Sequence, residues 1–275
     1  MKFLINDPDE GISFLHGLWI FVFYVLVTSI VVSIPVNIIT SFPAVKAHTE
    51  LTPYFDELSS ILGYLAAIKL LFIRLEKAKP IKLSFRGKIN TNVFVFSILF
   101  CIGYYLFSGT TIHLALRNIP LPRFIEKAFE DMVVNKYVMF FSFVISGPIF
   151  EEILCRGILL EVFLKRYKPL AAIFFSSFVF AFIHMNIPQG VNALFLGLIF
   201  GFIYYKSNSL TLCIITHSFN NLLVMVLSYI KIDLGNKFNP IQLAMGLIIM
   251  TLACVVLKLF NKKTSSSFSD NHLCN

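Results

Sequence analysis

Apolar residues in this chain fall into long blocks separated by short polar loops, not at the spacing of a half-buried helix. A helix needs about 20 apolar residues to cross a bilayer. Eight blocks reach or approach that length: 14–35, 58–74, 92–115, 138–164, 168–186, 190–206, 209–230 and 240–261. The pattern predicts an all-α fold, a polytopic integral membrane bundle of about eight transmembrane helices. The second block is short and carries Lys69, which can snorkel to the interface or face a partner helix. Within 117–136 the mixed-charge run that starts at Arg123 predicts an amphipathic helix lying on the membrane surface. Pro188 and Gly190 suggest a tight turn between the fifth and sixth blocks. Ala193, Gly197 and Gly201 recur every four positions and suit close helix packing.

The blocks divide the chain into N-terminal helices with the interfacial segment (1–136), a core that holds the intramembrane polar residues (137–230) and a last span (231–263). The polar tail 264–275 is expected to be disordered. No internal repeat and no soluble domain emerges.

Composition agrees with the pattern. Of 275 residues, 57% are hydrophobic and 14% charged, and the mean hydropathy is +0.80. A soluble domain carries about 25% charged residues. The net charge of +8 comes from basic residues in loops between apolar blocks, which is a topology signal and not one for nucleic acid. Arg74, Lys77, Lys79 and Lys82 head the richer set of loops, joined by Lys165, Arg166, Lys262 and Lys263. That excess predicts cytoplasmic termini. Asp7, Asp9 and Glu10 precede the first block, unlike the basic start of a signal peptide. The five cysteines are scattered without a CxxC pair, so buried thiols fit better than disulfides or a thiolate zinc site. A chain rich in Lys, Asn and Phe with one Trp suits a low-GC bacterium, and hence its inner (plasma) membrane.

Chemistry concentrates in the fourth block, where Glu151, Glu152 and Arg156 interrupt an otherwise apolar run. An ionisable group at bilayer depth costs about 2.5–3.5 kcal/mol on insertion scales, so such residues mark function by default. Glu152 and Arg156 lie four apart and can pair on one helical face. Glu151 is rotated by about 100° from Glu152, and that spacing offers it no cation. Glu152 and Arg156 therefore read as scaffold and Glu151 as the reactive group, against the alternative of one packing network. His184 and His217 fall in later blocks, and each alone is as easily a hydrogen-bonded packing residue. Asn221 follows His217 by one turn, so the two can donate to one oxygen or simply tie helices together. Asn220 is one position off that face and is the weaker candidate.

In order, Glu151-Glu152-Ile-Leu-Cys-Arg156, Phe180-Ala-Phe-Ile-His184 and His217-Ser-Phe-Asn-Asn221 read EExxxR, FxxxH and HxxxN. This set resembles the CPBP family of intramembrane proteases, which includes the CaaX prenyl endoprotease and bacterial Abi proteins. The resemblance covers about residues 137–230. It implies hydrolysis of a peptide bond in a membrane-embedded or lipid-associated protein or peptide, within the lipid bilayer and without nucleic acid. By the same resemblance, Glu151 activates water with help from His184, and His217 with Asn221 stabilises the oxyanion. Glu152 and Arg156 hold the helix. No cofactor is favoured, although Glu151, His184 and His217 could form a zinc site with an open position for water. The chain lacks an HExxH motif. The competing readings are a proton-coupled transporter and a non-catalytic membrane adaptor.

Overall fold

A backbone in lipid must satisfy its own N–H and C=O groups, and a helix does so within one segment. The computed structural model follows that rule and describes residues 11–76, 83–85, 87, 91–230 and 237–270, with no strand among them. Its helices are α1 (Phe14–Ser41), α2 (Thr52–Glu76), α3 (Thr91–Leu116), α4 (Arg123–Val133) and α5 (Lys136–Leu164). They continue with α6 (Pro169–Phe182), α7 (Ile187–Ser207), α8 (Leu210–Tyr229) and α9 (Pro240–Asp270). Among the described residues seven helices are long and apolar enough to span a membrane, and α6 is a shorter apolar helix. Leu15, Trp19 and Ile30 on α1, Leu62 and Leu65 on α2, and Ile248 and Leu252 on α9 lie exposed. An apolar surface of that kind needs lipid as its solvent. The chain is an integral membrane protein.

Several boundaries differ from the sequence reading. The fifth block was expected to run to residue 186, but α6 stops at Phe182. Met185 then adopts a positive φ of 56°, which ends the helical path. The turn before α7 is therefore made by residues 183–186, and Pro188 and Gly190 lie inside the first turns of α7. Proline is tolerated there because the first N–H groups of a helix have no partner to lose. The Asn186 side chain caps the new helix by accepting from the Gln189 N–H at 2.9 Å. The second span is longer than expected because polar Thr52 to Glu57 continue its helix. Of the tail expected to be disordered, residues 264–270 prolong α9, and extending a formed helix needs no new nucleus. Residues 271–275 lie outside the described residues, as do Asp7, Asp9, Glu10, Lys77, Lys79 and Lys82. The amphipathic segment is helical from Arg123 to Val133.

Two compact units divide the chain, Met1–Ser84 with Pro120–Phe202, and Phe85–Ile119 with Ile203–Asn275. In the first, α1 packs on α2, and an aromatic cluster anchors the start of α1. Phe14 stacks on Phe175 at 4.6 Å between centroids, and its N–H donates to the Tyr167 hydroxyl at 3.0 Å. The small-residue stripe of α7 lets α6 approach closely. A Cβ on Gly197 would lie 3.0 Å from Ser177, and one on Gly201 would lie 2.9 Å from Ile173.

In the second unit, α3 and α9 cross at Gly103 and Gly246, where a Cβ on Gly103 would stand 2.9 Å from the Gly246 carbonyl. Asn239 caps α9 by accepting from the Ile241 and Gln242 N–H groups. Gln242 then donates to the Leu106 carbonyl at 2.9 Å, just ahead of a π-helical turn at Gly109–His113. The α7–α8 connection is pinned by Ser209 and Thr211, whose hydroxyls both donate to the Phe85 carbonyl.

Close glycine contacts give a direct test of this packing. Gly103→Val should destabilise the protein by about 1–3 kcal/mol through overpacking, read as a lower thermal midpoint in detergent. Gly63→Ala should be nearly neutral, because the nearest atom to its Cβ would be Ser29 Cα at an ordinary 3.6 Å.

Candidate active site

The helix that carries Glu151 is not a regular α-helix. Asn135 starts α5 by accepting from the Tyr137 and Val138 N–H groups at 3.0 and 3.2 Å. After one turn the chain widens into a π-helix over Phe141–Ser146, returns to α over Gly147–Glu152, and widens again over Ile153–Leu160. Such π stretches are rare and recur at functional sites. Glu151 and Glu152 sit on the short α segment between the two. The half-buried Glu151 folds back along its helix, since a Cβ on Gly147 would lie 3.7 Å from Glu151 Oε1.

Glu152 and Arg156 are fully buried and paired, with Nη1 to Oε1 at 3.0 Å. The guanidinium makes further contacts that fix its plane. Nη2 donates to the Gly197 carbonyl on α7 at 3.0 Å. The group lies over the Phe180 ring at 4.7 Å and near that of Phe200 at 5.6 Å. Arg156 therefore ties α5 to both α6 and α7. The missing side chain of Gly197 opens the approach. Planar stacking with several directed donors is a task for arginine that lysine cannot copy.

His184 lies just beyond α6, in the turn that the positive φ of Met185 creates. Its Nδ1 is 2.8 Å from the Phe180 carbonyl, and a carbonyl only accepts, so Nδ1 carries the proton. In the neutral ring Nε2 is then the lone-pair nitrogen. The ring stands edge-to-face on Phe180, centroids 5.0 Å apart. Asn186 holds the backbone by donating to the His184 carbonyl at 2.8 Å and also bonds Gln189. Phe180 is thus shared between the Arg156 guanidinium and the His184 imidazole.

The second unit holds the remaining candidates, all on α8 and all buried: His217, Asn220 and Asn221. Ser209 caps this helix by accepting from the Leu212 N–H at 3.3 Å. Asn220, from sequence the weaker candidate because it is one position off the face, is as buried as its neighbour and donates from Nδ2 to Asn221 Oδ1 at 3.2 Å. Two adjacent amides can meet because both side chains bend toward the same side of the helix. With Oδ1 engaged by Asn220, Nδ2 is the donor end that Asn221 turns elsewhere.

In the first unit Phe180 thus links the Glu152–Arg156 pair to His184, with Glu151 next to Glu152 on α5; in the second, Asn220 bonds Asn221 on the helix that carries His217. Within either unit, no three His, Cys, Asp or Glu side chains among the described residues form a metal-holding group. Sequence reasoning missed Glu57 on α2, which accepts from the Ser142 and Ser146 hydroxyls of α5. Its signal was present: a carboxylate two turns into a membrane helix, and two serines four apart on the span that carries Glu151.

Residues 133–223 match the family model described as Rce1-like, type II CAAX prenyl endopeptidase Rce1-like. That segment contains all three sequence motifs, and over it the chain is similar to the CAAX protease family. No curated protein and no solved structure matches the chain.

Breaking the buried pair on one side should be costly. Arg156→Ala leaves a carboxylate in an apolar interior and should lower stability by about 3–5 kcal/mol. Thermal unfolding and the yield of monodisperse protein in detergent read the effect, and Arg156→Lys should recover only part of it.

Proposed function

We propose that this chain, with its CPBP/CAAX protease segment at residues 133–223, is an intramembrane endopeptidase whose general base is Glu151. The observation that carries the reading is the coincidence of that family match with the arrangement around Glu151. The neighbouring charges are internally neutralised as the Glu152–Arg156 pair. An imidazole of defined tautomer stands just past the end of the helix that the same arginine contacts.

In this mechanism a water sits between the Glu151 carboxylate and His184 Nε2. Glu151 takes a proton from the water as its oxygen attacks the scissile carbonyl carbon. The tetrahedral oxygen takes on negative charge, and His217 and the Asn221 Nδ2 group donate hydrogen bonds to it. Asn220 holds the other end of the Asn221 amide. Collapse breaks the C–N bond, and Glu151 returns its proton to the departing amine nitrogen. Glu152 and Arg156 take no part in bond making; they keep α5 in register with α6 and α7. The substrate class is a membrane-embedded or lipid-associated protein or peptide, and the setting a bacterial plasma membrane with cytoplasmic chain termini.

The test is cleavage of membrane-associated peptides by the purified protein in detergent. Glu151→Gln should abolish cleavage without loss of folding, whereas Asn221→Ala should retain weak activity, about 10²–10³ below wild type. A folded Glu151→Gln variant with wild-type turnover would remove Glu151 from the chemistry. Thorough chelation should leave turnover intact. Loss on chelation that one equivalent of zinc restores would instead assign Glu151, His184 and His217 as ligands.

A further inference from the structure

Glu57 grips α5 immediately before the segment that carries Glu151. Its two carboxylate oxygens accept separately, Oε2 from the Ser142 hydroxyl and Oε1 from the Ser146 hydroxyl at 2.5 Å. Both serines belong to the first π stretch, Phe141–Ser146. Two turns further along α2, Tyr64 stacks on Phe150 at 5.1 Å with an interplanar angle of 11°. The second helix therefore holds α5 on both sides of Gly147, and its second hold is on the residue next to Glu151.

We propose that Glu57 is a positioning residue that sets the direction in which α5 presents Glu151, an inference that rests on reading Glu151 as the general base. The argument is geometric. A π turn inserts one residue into the helical path, so every side chain after it is rotated by about 100° from an uninterrupted α-helix. Glu151 follows that insertion directly. Without the π turn, Glu151 would point where Phe150 or Glu152 points now.

The π turn needs holding, because π-helix is rare and occurs mostly as single-turn bulges within α-helices. Inside the helix the Gly147 N–H bonds the Ser142 carbonyl, and a Cβ on Gly147 would come within 2.8 Å of that oxygen. Glycine permits the turn, and Glu57 fixes it from outside. In a helix a serine hydroxyl commonly bonds back to a carbonyl of the previous turn. Ser146 does so only at 3.5 Å while it donates to Glu57 at 2.5 Å. A carboxylate accepting two hydroxyls at the edge of an apolar helix has its burial cost offset by those charge-assisted bonds. Losing either partner set removes the clamp.

The experiment uses the full-length protein in detergent with Glu57→Ala, Glu57→Gln and the double variant Ser142→Ala/Ser146→Ala. Glu50→Gln, at an exposed position, is the control. Two readouts are taken. The first is independent of cleavage: the pH profile of Glu151 modification by a hydrophobic carbodiimide, with the labelled residue located by mass spectrometry. The second is the split between kcat and KM on a membrane-associated peptide. All three clamp variants should alter the Glu151 labelling profile, and kcat should fall about 10–100-fold with KM unchanged, the loss expected from small misplacement of a reacting group. Combining Glu57→Gln with the serine changes should add little, since each removes the same contact. Altered labelling in a protein that cleaves nothing would uphold the positioning role and sink the protease reading. Glu151 labelling identical to wild type in the folded Glu57→Gln and double-serine proteins, or unchanged kcat where wild type cleaves, would overturn the proposal.

Discussion

The fully buried Glu152–Arg156 pair is the interaction on which the first unit depends. Two opposite charges in an apolar interior stay only if each is matched, because desolvation can exceed what a single ion pair returns. Here the guanidinium has a carboxylate, a backbone carbonyl and aromatic faces around it, and those groups come from α5, α6 and α7. The contacts of the two Arg156 Nη groups and of its guanidinium face thus set how three helices meet, while its Nε makes no hydrogen bond. A well-packed apolar substitute for the pair would be about as stable, so the pair's contribution is directional.

That direction passes to the neighbouring histidine through Phe180. One ring lies under the arginine and edge-on to His184, and the same residue's carbonyl holds Nδ1. The spacing in Phe180-Ala-Phe-Ile-His184 is therefore a mechanical link. The carbonyl of residue i is what the imidazole at i+4 can reach when the helix ends there. Had α6 continued to residue 186 as a regular helix, that carbonyl would belong to the backbone ladder. Its early stop at Phe182 and the turn at Met185 release the oxygen for the side chain.

The first unit keeps its polar groups local by widening α5 twice and by using glycine where backbones or side chains crowd. The second does so by capping. Asn239, Ser209 and Gln242 satisfy helix ends and a widened turn, while His217, Asn220 and Asn221 stay within one stretch of α8. In both units there are polar side chains that bond to backbone or to one another, as Ser176 and Ser177 do in the first and Thr216 and Asn220 in the second.

The sequence by itself determined the class of molecule and the main polar positions. Blocks of about 20 apolar residues match the thickness of a bilayer, and charge within them stands out because it costs so much. The pairing of Glu152 with Arg156 was legible from a spacing of four, and the packing of α7 from its small residues. Tertiary structure decided what the α-helical period cannot express. The two π stretches of α5, the end of α6 and the meeting of the Asn220 and Asn221 amides depart from a regular 3.6-residue repeat. The role of Glu57 was hidden for a different reason: its partners lie far along the chain on another helix, and no local spacing records a contact between segments. Local periodicity reports which face a residue shares with its neighbours. Only the packed bundle shows what that face meets.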